Sequence, residues 1–152
     1  ILQIYKFNSY SVPLFSGGPQ QYTPRNKQKA IQWVSRLRAG GGTRPWGGLD
    51  QAMQSDQVSQ ITILSDGITP ASGRCFHNGK NMKYSDCYAE YNAKRGQTNA
   101  GDVAIESVSL GYDFCSGNSL PSWFSYYKRY GYNGSWLGEL ASKNGGSCKH
   151  IQ

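Results

Sequence analysis

The chain has 152 residues, 38% of them hydrophobic and only 16% charged, with 19 Gly and 11 Tyr. Its length suits one domain that buries roughly two thirds of its unfolded surface, and its low charge excludes a solvated, disordered polyelectrolyte. Glycines without a period of three and the lack of heptads exclude collagen-like and coiled-coil classes, while sixteen Lys+Arg against nine Asp+Glu give +7 and a pI near 9.3, a balance that favours anionic partners.

Leu2-Gln3-Ile4-Tyr5-Lys6-Phe7 alternates at period two and, after a polar turn at Asn8-Ser9, is followed by Val12-Pro13-Leu14-Phe15, which reads as a hairpin. Pro13 makes the second strand an edge. Thr23 is placed to cap a helix with Pro24 at its first position. Ala30, Ile31, Val34 and Leu37 then fall on one helical face, with Arg25, Lys27, Lys29, Arg36 and Arg38 mostly off it, and Gly40 is the expected stop. Gly40 to Pro45 reads as a loop and Leu49, Ala52 and Met53 as the inner face of a short helix. Ile61-Thr62-Ile63-Leu64 reads as a buried strand opening into Ser65-Asp66-Gly67.

Residues 70–101 are polar, basic and cysteine-bearing, the pattern of an insertion with one helical stretch near Tyr88 to Lys94. Val103 to Leu110 is the next strand. Trp123 to Tyr130 reads as an aromatic, helical stretch that either packs its aromatic face on the sheet or forms a contact surface, and Trp136, Leu137, Leu140 and Ala141 mark a final helix closed by Gly145-Gly146. Cys148 to Ile151 completes the series as a short strand. Strands alternating with helices imply an α/β domain with a mostly parallel sheet, whose ligand chemistry is expected beyond the carboxyl ends of the strands.

No apolar stretch reaches the roughly 18 residues of a membrane span, and Ile1 to Tyr5 has neither the charged flank nor the cleavage site of a signal peptide. The expectation is a chain with no membrane span and no uncleaved leader. Cys75, Cys87, Cys115 and Cys148 contain no CxxC pair, so disulfides in an oxidising compartment are favoured over a zinc site, with four buried thiols as the alternative. Cys75, Cys87 and Cys115 all follow strand ends, whereas Cys148 begins a strand. A strand over 103–110 spans about 26 Å, far beyond the roughly 7 Å that a disulfide bridges between Cα atoms. Cys75 is therefore expected to pair with Cys87, leaving Cys148 free or bonded to another chain.

Two loops carry hard oxygen ligands, Gly40-Gly41-Gly42-Thr43 and Ser65-Asp66-Gly67, a combination suited to Mg²⁺ or Ca²⁺. His77 and His150 lie in no nucleophile elbow, and the glycines at 40–42 lack the Lys-Ser/Thr ending of a P-loop, so neither hydrolase nor nucleotide chemistry is supported. Trp123, Tyr126, Tyr127, Lys128, Arg129 and Tyr130 mix aromatic and basic groups densely enough to contact a polymer or a protein partner.

The order of these segments resembles von Willebrand factor A domains: Ile4 to Ser9, Ala30 to Thr43, Leu49 to Met53, Ile61 to Gly67, and Trp136 to Gly146. The resemblance covers most of the chain, with 70–101 and 112–134 as departures. It implies a single domain over 1–152 with 70–101 inserted, a three-layer, Rossmann-like α/β fold with an antiparallel edge strand. In that family an Asp-x-Ser-x-Ser loop, a Thr and a later Asp hold a cation. Thr43 and Asp66 match the last two elements, and the first strand with its loop is not found here, so an incomplete Mg²⁺ or Ca²⁺ site is expected. The same resemblance implies that the family's first strand belongs between 2–7 and 61–64, to be supplied by another segment or chain. The function expected is a non-enzymatic adhesion or assembly module, extracellular or at a cell surface, with a protein partner or self-association and a place in a surface polymer. The alternative is a module that binds an anionic polymer, acidic glycan or nucleic acid.

Overall fold

A computed structural model of the chain describes residues 1–67, 74–77, 79–97 and 101–152, and these fall into two compact units, Ile1–Val58 and Ser59–Gln152.

In the first unit β1 (Tyr5–Phe7) and β2 (Ser11–Pro13) form an antiparallel hairpin, with Tyr5 opposite Pro13 and Phe7 opposite Ser11. The first strand is shorter than its alternation suggests because the Gln3 side chain takes over the ladder's work. Its amide donates to the Phe15 carbonyl at 2.7 Å and accepts the Phe15 N–H at 3.1 Å. Helix α1 (Pro24–Ser35) begins as expected, with Thr23 Oγ1 accepting the Asn26 N–H at 3.2 Å.

That helix stops at Ser35 rather than Gly40. The Arg36 and Leu37 N–H groups donate to the carbonyls three residues back, Trp33 and Val34, a tightened last turn that does not propagate. Its inward stripe is also rotated from the expected one. Ala30 is buried and Trp33 and Leu37 half-buried, whereas Ile31 and Val34 are 52% and 47% exposed. Helix α2 (Trp46–Met53) buries Leu49, Ala52 and Met53, and Gly48 lets it approach β1, since a Cβ there would lie 3.1 Å from that of Tyr5.

The second unit runs β3 (Gln60–Ser65), a β4–β5 hairpin (Arg74–His77, Lys80–Lys83), α3 (Tyr84–Gln97), β6 (Ala104–Leu110), α4 (Phe124–Lys128), α5 (Trp136–Ser142) and β7 (Cys148–Ile151). It is a mixed α/β fold whose three-stranded parallel sheet has the order β3-β6-β7, with Gln60 opposite Ala104 and Ser107 opposite Cys148. The region expected as an insertion holds the hairpin and α3, longer than the helix anticipated near 88–94; residues 70–73, 78 and 98–100 of it lie outside the described ones.

Alternate β6 residues Ile105, Ser107 and Ser109 are buried on one face, where the core also takes in Val103, Phe114, Leu137, Leu140 and Ala141. Two buried asparagines join α3, β6 and α5. Asn92 Nδ2 donates to the Val103 carbonyl and to Asn144 Oδ1, both at 3.0 Å, and its Oδ1 accepts the Val103 N–H at 2.9 Å. Asn144 Nδ2 in turn donates to the Leu140 carbonyl at 2.8 Å. The turn after α5 depends on glycine twice: Gly145 adopts φ +69°, and a Cβ on Gly146 would run into the Ile105 carbonyl.

Both disulfides lie in this unit. Cys75 and Cys87 are joined, with Cα atoms 6.6 Å apart. Cys115 and Cys148 are joined as well, at 5.5 Å, which corrects the expectation that Cys148 stays free or bonds another chain. The geometric objection fails for two reasons. Strand β7 enters the sheet opposite Ser107 rather than Ala104, about 10 Å further along β6. Beyond β6, Gly111 at φ +78° reverses the chain, and the N–H of Leu137 donates to the Phe114 carbonyl, so Cys115 folds back toward the sheet.

Candidate functional site

The candidate site is the outer edge of β3. The Ser59 carbonyl accepts the Ala104 N–H at 3.1 Å, so Ser59, Ile61, Ile63 and Ser65 direct their backbone groups toward β6. Because successive strand residues alternate, the N–H and C=O groups of Gln60, Thr62 and Leu64 point the other way. Among the described residues no strand pairs with that edge.

Its side chains make it a template rather than a protected margin. Gln60 to Ser65 carries no charge, no Pro and no Gly, and is six residues long and paired without a bulge, whereas natural sheets blunt an exposed edge with lysines, prolines, bulges or brevity. The opposite edge, β7, has such devices: it is four residues long and carries an exposed Lys149. The expectation of a fully buried strand is corrected here. Ile63 and Ser65 are buried, but Thr62 is exposed and Leu64 is 52% exposed, because β3 lies at the sheet margin with one face open. The uncharged, β-branched run at 61–64 reads alike in an interior and an edge strand, so residue pattern alone did not show this edge; the strand that the resemblance places beside 61–64 was the signal for it.

On the other side of the sheet from that edge, Glu106 and Ser147 lock β6 to the start of β7. The Ser147 hydroxyl and N–H donate to the Glu106 carboxylate at 2.7 and 2.9 Å, and these bonds hold its pKa below the usual carboxylate value. Asp113 is held low in the same way, by the Ser116 hydroxyl and the Ser116 and Cys115 N–H groups, and so shapes the turn that carries the disulfide.

Thr43 belongs to the first unit, half-buried in the glycine loop, and that loop has a structural task of its own. The Gly42 N–H donates to Ser9 Oγ at 3.2 Å and the Arg44 N–H to the Asn8 carbonyl at 2.8 Å, with Gly41 at φ +84° close against the Asn8 side chain. Asp66 belongs to the second unit, exposed just past β3. Among the described residues no group of three or more His, Cys, Asp or Glu side chains is placed to hold a metal ion.

The aromatic stretch does not pack on the sheet as a face. Only Phe124 is buried, against Phe114 at 6.1 Å between ring centroids, while Trp123, Tyr126, Tyr127 and Tyr130 are exposed. The exposed rings pack on one another instead. Trp123 stands edge-on to Tyr112 and Tyr127, and Tyr126 to Tyr127, at centroid separations of 5.5–5.9 Å. The Tyr130 hydroxyl donates to that of Tyr126 at 3.4 Å, which raises the Tyr130 pKa. Lys128 and Arg129 flank this cluster on the exposed side. Rings with tilted edges and outward hydroxyls suit a protein contact better than a flat stacking platform.

No helix among the described residues is long and apolar enough to cross a membrane. Compared with protein-family models, curated proteins and solved structures, the chain has no significant match.

Proposed function

We propose that this chain is an extracellular, non-enzymatic adhesion or assembly module of von Willebrand factor A type, completed by a β-strand that another segment or chain lays along the outer edge of β3. The observation that carries this reading is the unprotected edge itself: three outward pairs of backbone groups, at Gln60, Thr62 and Leu64, on an uncharged strand. Strand addition supplies affinity through just such main-chain groups. The parallel sheet supports it too, since parallel strands normally lie inside a larger sheet. Two disulfides, one of them tying β7 into the sheet, are compatible with an oxidising, extracellular setting. The exposed aromatic cluster at 123–130 offers a second contact for a protein partner. In this reading Thr43 in the first unit and Asp66 in the second are each candidate cation ligands, and Mg²⁺ or Ca²⁺ binds weakly or not at all without groups from a partner.

Sedimentation velocity of the intact chain tests the proposal. Self-association that Thr62→Pro weakens about tenfold or more is expected, because proline at 62 removes an outward N–H and leaves the β6 ladder untouched. A monodisperse, cooperatively melting monomer at tens of micromolar, indifferent to an added β-strand peptide from its native source, would overturn it.

A further inference from the structure

The positive charge is not spread evenly. Residues 1–58 hold seven Lys+Arg and two Asp+Glu, against nine and seven in 59–152, and no acidic residue precedes Asp50. Within the first unit the cations gather on α1. Arg25, Lys29, Gln32 and Arg36 stand at i, i+4, i+7 and i+11, which at about 100° per residue places them within roughly 60° of one another on the helix circumference. Arg36 is the helix C-cap and keeps right-handed helical backbone angles, so it continues the row. All four side chains are exposed.

The row is also unspent. The ion pairs Lys83–Glu139 and Lys143–Asp86 both lie in the second unit, and among the described residues none of Arg25, Lys29 and Arg36 meets a carboxylate. The side chains that fix α1, Ala30, Trp33 and Leu37, lie beside this ridge, so the ridge is dispensable for holding the helix in place.

We infer that the ridge Arg25-Lys29-Gln32-Arg36 is a docking surface for an acidic glycan, a polymer bearing about one carboxylate per sugar. The spacing selects this partner. Arg25 to Arg36 covers about 16 Å of helix axis, with cation intervals of about 6 and 10 Å. A nucleic acid duplex offers one negative charge per about 1.7 Å and leaves most of its phosphates unmatched on such a row, whereas a uronic acid chain carries its carboxylates at the wider interval of successive sugar rings. Two of the three cations are guanidiniums, whose planar fork receives a carboxylate through two parallel hydrogen bonds. Gln32, between Lys29 and Arg36, offers an amide of both hydrogen-bonding senses to sugar hydroxyls. No aromatic ring lies on the ridge for a base to stack on. This surface is separate from the β3 edge, and its test is independent of strand addition.

Titration calorimetry of the intact chain with oligogalacturonate, over a series of NaCl concentrations, reads the proposal directly. Binding that weakens steeply with salt is expected. The triple variant Arg25→Gln, Lys29→Gln, Arg36→Gln should lose about tenfold or more in affinity and flatten the log–log salt dependence by about 2–3. Replacing Arg25 and Arg36 by Lys keeps the charge but loses the paired hydrogen bonds, so the salt dependence should stay as in wild type while affinity falls by less than in the triple variant; Lys128→Gln with Arg129→Gln in the aromatic stretch should retain most of the binding. Circular dichroism verifies that each variant keeps its helix content. No binding to oligogalacturonate at low salt, an unchanged triple variant, an equal loss in the 128/129 variant, or tighter binding of an oligonucleotide of equal charge at the same salt would each overturn it.

Discussion

Asn92 is the residue on which the second unit's helices and sheet most directly depend, and its replacement has a cost that can be worked from its bonds. Asn92 is 7% exposed and its partner Asn144 3%. Truncation to Ala strips the hydrogen-bond partner from three groups at once: the Val103 N–H, the Val103 carbonyl and Asn144 Oδ1. Each buried group so orphaned costs about 1–3 kcal/mol. A water entering the vacated space can satisfy one of them, so Asn92→Ala is expected to destabilise by about 2–6 kcal/mol, a large part of the 5–15 kcal/mol that a typical domain has.

Asn92→Asp separates lost hydrogen bonding from mere loss of volume. It keeps the acceptor for the Val103 N–H but turns an oxygen on both the Val103 carbonyl and Asn144 Oδ1, so its cost should match that of Ala at neutral pH. The assay is urea unfolding followed by tryptophan fluorescence, with Trp33 and Trp46 replaced by Phe so that Trp123 and Trp136 report the second unit. With a slope of about 2 kcal/mol/M the midpoint should fall by about 1–3 M. A loss below about 1 kcal/mol for Asn92→Asp would show that the network does not hold these elements together.

The Cys115→Ser, Cys148→Ser double variant should lose about 3–4 kcal/mol by loop-closure entropy for a 33-residue separation, measured by the same urea titration against wild type. Glu106 and Asp113 have pKa values lowered by hydrogen bonds to their charged forms, so their stabilisation is present above the unfolded values, 4.5 and 3.8, and is lost as pH falls through the lower folded ones. The melting temperature should therefore hold steady down to about pH 5 and decline below, less steeply in Glu106→Gln. Gly146→Ala should destabilise by more than about 1 kcal/mol, since its methyl would meet the Ile105 carbonyl on a fixed strand; thermal melts check this.

Local signals in the sequence placed most elements well. The Thr23-Pro24 cap, the hairpin around Asn8, the Leu49-Ala52-Met53 face and the strands at 60–65, 104–110 and 148–151 all depend on neighbours close in sequence, which is why they could be read directly. What failed depends on tertiary placement. The inward face of α1 takes in Ala30, Trp33 and Leu37 rather than Ile31 and Val34, and the offset of β7 along β6 decides which cysteines meet. Neither is encoded in periodicity. The exposed rings of 123–130 show the same limit, because an aromatic run looks alike whether it faces a sheet or its own neighbours. For the candidate site, an interior and an edge strand share one pattern of uncharged β-branched residues, and only the strand order of the sheet distinguishes them.

Residue-resolved amide exchange on β3 tests the central claim most directly. In a dissociated monomer Ile61, Ile63 and Ser65, whose N–H groups face β6, should exchange slowly while Thr62 and Leu64 exchange fast. In the assembled state all five should be slow, since an added strand caps the outward groups. Thr62 and Leu64 amides that stay fast in every associated form would contradict strand addition at this edge.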